Sequence, residues 1–335
     1  MTIQFGILII ILLILLQFSQ YFSNILKIID NPDNKRKLHK APTPLFGGPA
    51  IFIVLILYNS IQYYFYQNNY TIWDMIFLTI IFLVGFIDDR NGVSPNKKLL
   101  FLFIAFYIFI QFNDNINIQN LEFTTFLYKI NLGMFSTLFL TFCALLLINA
   151  LNMTDGKNGL CASIQIIILL ILISFSNNKI NNSFEITYII FLLIFLIFNL
   201  NGKVFLGDSG VYLGAFIIIN KIFYCYESIS YFKVEQIFIL LMIPGIDMFR
   251  VFLIRLVKKK SPFEGDRNHF HHLLEKKFDN FQCLIIYLLL ISLSNMLSIY
   301  FPQHSLLNVI ITFSIYILII YSLKNNKYEN YNSKH

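Results

Sequence analysis

The most regular feature of the chain is a succession of apolar runs of membrane-spanning length, separated by short polar stretches. Runs near 5–25, 46–66, 71–87, 99–112, 134–150, 161–176, 186–199, 211–224, 236–256, 283–301 and 305–323 carry few charges. A bilayer core about 30 Å thick takes ~20 residues of helix. Lipid offers no partner to a free backbone N–H or C=O, so such runs must be helical. The pattern predicts an all-α fold, a polytopic transmembrane helical bundle of ten or eleven helices; 161–176 and 211–224 are short, which leaves the count open by one. Residues 1–323 read as a single integral-membrane domain, and the Asn/Lys-rich segment 324–335 as a disordered cytoplasmic tail. The first run has no basic residue ahead of it and no small-residue cleavage site after it, and Lys27 follows, which favours a retained helix over a signal peptide.

Composition agrees with the pattern. With 57% hydrophobic and only 13% charged residues, the chain has too little polar material to clothe a water-soluble fold. Cys143, Cys161, Cys225 and Cys283 fall in or beside apolar runs without pairing or ligand spacing, so they read as helix-packing residues. Ile, Asn, Phe, Lys and Tyr are abundant in every segment, as in a compositionally biased genome, and single aromatics or asparagines carry little weight for that reason.

Charge orients the spans. Sorted alternately, one set of loops holds 27–45, 88–98, 151–160, 200–210, 257–282 and the tail, and, with helix-end residues placed with the nearer loop, 21 of the 25 Lys and Arg fall on that side; the other has only Lys129, Lys179, Lys221 and Lys233. Net charge is about +9 on the first side and about −2 on the second. The positive-inside rule makes the first side cytoplasmic. Basic charge lying beside spans suits anionic lipid headgroups and phosphorylated substrates and does not point to nucleic acid.

The chemistry-bearing motifs all fall in that first set of loops. Asp88 and Asp89 end an apolar helix, followed by Arg90 and by Lys97-Lys98. Adjacent carboxylates repel unless a cation sits between them, so the pair is either solvated and balanced by those basic residues or a site for Mg²⁺ or a proton. Asn149-Ala-Leu-Asn152-Met-Thr-Asp155-Gly156-Lys157-Asn158-Gly159 holds more amides, acids and glycines than a turn needs, enough to contact a sugar nucleotide or a hydrated metal. In Phe205-Leu206-Gly207-Asp208-Ser209-Gly210, Asp208 is either a helix cap or a hard oxygen ligand at a helix start. Asp247 and Arg250, three residues apart, share a helix face and read as an ion pair near the inner interface. His269, His271 and His272 crowd into four positions near Lys258, Lys259, Lys260 and Arg267. A zinc site there lacks cysteine or spaced partners, and donors to a pyrophosphate fit better. Prolines and a Gly pair shape the basic early loop, Lys35 to Gly48.

Taken in order, these motifs resemble the polyprenyl-phosphate N-acetylhexosamine-1-phosphate transferases, the WecA/MraY family, from about Asp30 to Leu274. The family's basic first loop resembles Lys35 to Gly48, its aspartate pair Asp88-Asp89, its Asn-x-x-Asn-x-x-Asp-Gly segment Asn149 to Gly156, and its Gly-Asp-x-Gly element Gly207 to Gly210. The run from Ser261 to His272 is similar to the WecA-like branch. Many members carry Asp where this chain has Asn158, which leaves that position hydrogen bonding without charge.

The resemblance implies an enzyme that transfers N-acetylhexosamine 1-phosphate, with GlcNAc as the leading sugar, from a UDP-sugar to undecaprenyl phosphate. It would release UMP and start a cell-surface glycan at the cytoplasmic face of the bacterial inner membrane. Mg²⁺, or Mn²⁺ in its place, is the implied cofactor, with Asp208, Asp89 and Asn152 as its candidate ligands. Asp88, Asp89, Asp155 and His271 are the implied catalytic residues. Lys37, His39, Lys98, Asn149, Asn158, Phe205, Arg267, His269 and His272 are implied to bind substrate, Phe205 by stacking on uracil. The implied partners are the UDP-N-acetylhexosamine, undecaprenyl phosphate and the bilayer, with no nucleic acid. Direct attack and a covalent aspartyl intermediate both stay open, as does the oligomeric state, a homodimer being one option. The rival from another class, a transporter or lipid flippase, is expected to carry charged or broken helices at mid-membrane. No ionisable residue is expected near a span centre here.

Overall fold

The computed structural model describes residues 2–32, 41–66, 72–125, 128–176, 181–261 and 266–332. Lys37 and His39 lie outside the described residues. Each of the eleven apolar runs forms helix. The first run is α1 (Thr2–Gln17) and α2 (Ser19–Leu26), bent by 67° at Phe18. There follow α3 (Gly47–Tyr66), α4 (Ile72–Asn91), α5 (Pro95–Phe112), α6 (Ser136–Asn152), α7 (Leu160–Ser176), α8 (Ser183–Leu200) and α9 (Gly207–Ser228). The chain continues through α10 (Val234–Val257), the short α11 (Phe270–Leu274), α12 (Asn280–Tyr300) and α13 (Ser305–Asn332), which extends into 324–335.

Among the described residues, eight helices are long and apolar enough to cross a membrane alone, and the bent α1–α2 pair gives a ninth. The remaining two runs are α7, apolar but 17 residues long, and α4, whose last turn carries Asp88, Asp89 and Arg90. The protein is therefore a multi-pass membrane bundle. Two antiparallel strand pairs complete it: β1 (Ile29–Asp30) with β2 (Thr43–Pro44), and β3 (Asn120–Glu122) with β4 (Lys129–Asn131).

The fold comprises two compact units. One holds residues 1–119 and 132–228, the other 120–131 and 229–335. In the first, α9 is the central helix, packed against α3, α4, α6 and α7 and buried along most of its length. Hydrophobicity cannot drive helices together in lipid, so close approach depends on small residues at the contacts. Gly48, Gly85 and Gly210 supply them at the start of α9. A Cβ at Gly85 would lie 2.6 Å from the Asp208 carbonyl oxygen, and one at Gly48 2.3 Å from the Gly210 nitrogen. In the second unit, α10, α12 and α13 pack together, and α11 rests on α12 and α13. The α12 start is fixed by a capping box, Asp279 accepting the Gln282 N–H at 2.8 Å and donating its own N–H to Gln282 at 3.2 Å.

A candidate active site at the start of the central helix

The first unit brings four helix ends together. Gly92, at φ +65°, ends α4 in the left-handed conformation, and its N–H bonds the Asp88 carbonyl at 2.8 Å. Asp88 Oδ1 accepts the Val93 N–H at 2.7 Å, which leaves Oδ2 aimed at the Lys98 ammonium. Lys98 stands in the first turn of α5, where Pro95 takes a position that has no helical N–H partner to lose. From there its ammonium reaches Asp208 Oδ2 at 2.8 Å while also touching Asp88. One cation thus bridges the carboxylates of two helices.

Asp89 faces the other way. Its Oδ1 accepts the Asp208 N–H at 2.8 Å and its Oδ2 the Ser209 N–H at 3.0 Å, so it caps the first turn of α9 from a different helix. Gly207 makes room for it: φ is +74°, and a Cβ there would stand 2.7 Å from Asp89 Oδ2. The repulsion expected between adjacent acids is avoided because Asp88 meets an ammonium and Asp89 a helix N-terminus.

The loop before α9 is pinned to the end of the first polar loop. The Phe205 N–H bonds the Pro44 carbonyl at 2.9 Å, and the Gly47 and Gly48 N–H groups bond the Phe205 and Leu206 carbonyls at 3.0 and 2.9 Å. Phe205 itself is half-buried. Two motifs distant in sequence are thereby one structural piece. On the α6 side, the Asn152 amide approaches the Tyr212 hydroxyl at 3.4 Å, and that hydroxyl lies 3.5 Å from Asp208 Oδ2. The Asn149 amide is turned back to the Leu145 carbonyl of its own helix at 2.7 Å. Asp155 lies in the following turn; burial, then the charges of Asp208, Asp89 and Asp30, push its carboxyl well above the ordinary range. Asn158, partly buried, sits beside Gly202.

The second unit contains the histidine segment. Asp247 organises it: its carboxylate accepts the Phe270 N–H at 3.0 and 3.1 Å, meets His269 Nδ1 at 3.1 Å, and bonds Arg250 at 2.7 Å and the Tyr316 hydroxyl at 2.9 Å. Asp247 is the fourteenth of the 24 residues of α10. The expectation that no ionisable residue stands near a span centre fails at this position, and the cost of burial is offset by five hydrogen bonds. His269 Nε2 lies 3.5 Å from Arg255, so both its ring nitrogens have partners. His271 is buried, and its Nε2 has no partner among the described residues. Burial, with His272 and His269 adding, pushes its pKa down to about 3, so the ring is neutral at physiological pH. His272 and Arg267 both meet Glu275, at 2.9 and 3.2 Å.

Several participants were not visible in the sequence. Tyr212 follows Asp208 by four residues on the same helix face, a spacing that could have revealed it. Asn199 links two loops, accepting the Gly159 N–H at 2.5 Å and donating to the Val204 carbonyl at 2.8 Å, but an asparagine at the end of an apolar run in an Asn-rich chain gives no signal. Tyr316 lies in an apolar span and gives none either.

Among the described residues, no group of three His, Cys, Asp or Glu side chains is arranged as a metal cage. The donors present are nevertheless hard oxygens, and Asp88 and Asp208 already converge on a cation. Mg²⁺ is commonly held by one or two carboxylates plus substrate phosphates and water, without a full protein cage, and the pair fits that requirement.

Comparisons with known proteins agree with this geometry. Residues 72–224, which carry Asp88, Asp89, Lys98, Asn152, Asp155 and Asp208, match glycosyl transferase family 4. The chain is 28% identical over 267 residues to an undecaprenyl-phosphate alpha-N-acetylglucosaminyl 1-phosphate transferase of Thermotoga maritima, covering 79% of each chain. It is 28% identical to a probable undecaprenyl-phosphate N-acetylglucosaminyl 1-phosphate transferase of Bacillus subtilis, covering 73% of this chain and 69% of the relative. Over a shorter stretch, 52% of this chain and 59% of the relative, it is 33% identical to a phospho-N-acetylmuramoyl-pentapeptide-transferase of Staphylococcus haemolyticus. The matched region coincides with the four converging helix ends, and over most of its length the chain is similar to these undecaprenyl-phosphate N-acetylglucosaminyl 1-phosphate transferases.

Proposed function

We propose that this protein transfers N-acetylglucosamine 1-phosphate from UDP-N-acetylglucosamine to undecaprenyl phosphate, releasing UMP. The reaction would take place at the cytoplasmic face of a bacterial inner membrane and begin a cell-surface glycan. The observation that carries the reading is the convergence of Asp88, Lys98 and Asp208 where apolar helices end, a place that a lipid phosphate and a soluble nucleotide can both reach. Names of relatives from both branches allow two donors. The run from Ser261 to His272 favours the simple N-acetylhexosamine over the muramyl pentapeptide.

In this reading an oxygen of undecaprenyl phosphate attacks the sugar-bearing phosphorus of the donor. A new P–O bond forms, the bond from that phosphorus to the bridging oxygen breaks, and the bridging oxygen leaves with its electron pair as part of UMP. Two anions must be held in line, so positioning and positive charge are the main catalytic needs. Lys98 supplies charge between the two carboxylates, and Asp88 orients the lipid phosphate or takes its proton. Asp208 and Asp88 would hold Mg²⁺ or Mn²⁺, with Asn152 close by; when bound, the ion supplies positive charge to the diphosphate oxygens. Neutral His271, unlike a charged imidazolium, offers a hydrogen bond without altering local charge. The test is purified membranes given undecaprenyl phosphate and a panel of UDP-sugars, following UMP. Release with UDP-N-acetylglucosamine alone is expected; no release with any UDP-sugar sinks the proposal.

A further inference from the structure

We propose that Asp89 is a positioning residue, an N-cap supplied from α4 that sets the height and rotation of α9, and that it contacts neither metal nor substrate. The inference deepens the transferase reading and rests on it for the role of Asp208.

Both carboxylate oxygens of Asp89 are engaged by successive backbone N–H groups of the α9 first turn, at 2.8 and 3.0 Å. Two such bonds from one carboxylate fix direction as well as distance, because the fork admits a single orientation of the turn. The donors belong to Asp208 and Ser209, so the group that is indexed is the one whose side chain meets Lys98 at 2.8 Å. Glycines leave space for the cap: Gly207 would place a Cβ 2.7 Å from Asp89 Oδ2, and Gly85, one turn earlier on α4, abuts the Asp208 backbone. The adjacent acids therefore have separate tasks. Asp88 faces the open, charge-bearing side with Lys98, whereas Asp89 faces backbone.

A ligand and a cap respond oppositely to neutralisation when no metal is bound. A cluster of metal-binding acids repels itself in the metal-free protein, so removing one charge leaves stability unchanged or raises it. A cap interacts favourably with the helix N-terminus whether or not metal is present. Asp89→Ala in EDTA, which removes both bonds to the α9 first turn together with the charge, followed by thermal unfolding in detergent, distinguishes the two without any turnover, and so independently of whether the transferase reading holds. We expect Tm to fall by roughly 2–4 °C. At saturating Mg²⁺, kcat should fall about five- to tenfold, with KM for the UDP-sugar and the Mg²⁺ activation constant within threefold of the parent. Gly207→Ala disturbs the same cap without changing an acid, and should lower kcat with the same unchanged activation constant. A Tm in EDTA that does not fall, or a Mg²⁺ activation constant raised more than threefold in either variant, overturns the proposal.

Discussion

Gly85→Ala tests how finely the site depends on helix approach. The new methyl would lie 2.6 Å from both the Asp208 carbonyl oxygen and Ser209 Cα, whereas ordinary contact begins at 3.4 Å, so α4 and α9 must part by about 0.8 Å. The obstacles are backbone atoms, which cannot swing aside as a side chain could. Displacement on that scale lengthens the 2.8 Å bond from the Asp208 N–H to Asp89 to about 3.6 Å, outside hydrogen-bonding range. It also moves Asp88, one turn along α4, away from the charge it shares with Asp208. Overpacking of this kind costs about 1–3 kcal/mol, and misplacement near 1 Å at a reacting centre costs about a hundredfold in rate. UMP release, measured on membranes with insertion verified, should therefore fall about a hundredfold. Gly6→Ala in α1 is the control, since no atom of the described residues lies within 4 Å of a Cβ there; its activity should stay within twofold of the parent. Turnover for Gly85→Ala within threefold of the parent, at unchanged Tm, would refute the argument that close approach sets the geometry.

Three other outcomes follow from the structure. Lys221→Met leaves Glu185 buried without its 3.1 Å partner and should cost about 3–5 kcal/mol in detergent-solubilised unfolding; adding Glu185→Gln should recover much of it, and no recovery argues against an ion pair of this weight. His271, with its pKa pushed down to about 3 from 6.5, stays neutral in the native protein while the unfolded chain takes up a proton below pH 6.5. Its contribution is thus fully present above pH 6.5 and is lost as pH falls towards 3, by up to ~1.4 kcal/mol per unit; His271→Gln should flatten the Tm profile over that window, and an unchanged profile rules the histidine out as its cause. Asp155→Asn should impair turnover severely, whereas Asn158→Asp should cost less than about tenfold; steady-state kinetics giving the reverse order would exchange their roles.

Span positions were legible because hydrophobic length is a strong signal in a chain with so few charges. The run near 71–87 continues as α4 through Asn91, since a helix does not stop where polarity begins; it stops where Gly92 can adopt a left-handed turn. The bend at Phe18 was not legible, because the apolar run passes through it unbroken. The pairing of residues 44–48 with 205–206 was equally hidden. Backbone hydrogen bonds between loops leave no side-chain pattern, and prolines and glycines announce only that the loop has a shape.

The convergence of Asp88, Asp89, Lys98 and Asp208 was legible as a set of residues but not as a set of partners. Asp88 and Asp89 read alike in the sequence, two acids at the end of one helix, and only their partners separate them. Successive helical residues point about 100° apart, so a pair at a helix end starts out facing different neighbours. Asp89 meets a different electropositive group, and here the N-terminus of α9 provides it. The same logic applies to the histidines. His269 and His271 are two residues apart on a tight segment, and Asp247 takes the first while the second remains buried and neutral. Clustered polar residues near a membrane therefore predict which side chains converge better than which partner each one takes. Assignment requires the hydrogen-bond partner of each oxygen and nitrogen, which for Asp89 is backbone and for Asp88 and Asp208 is a shared ammonium.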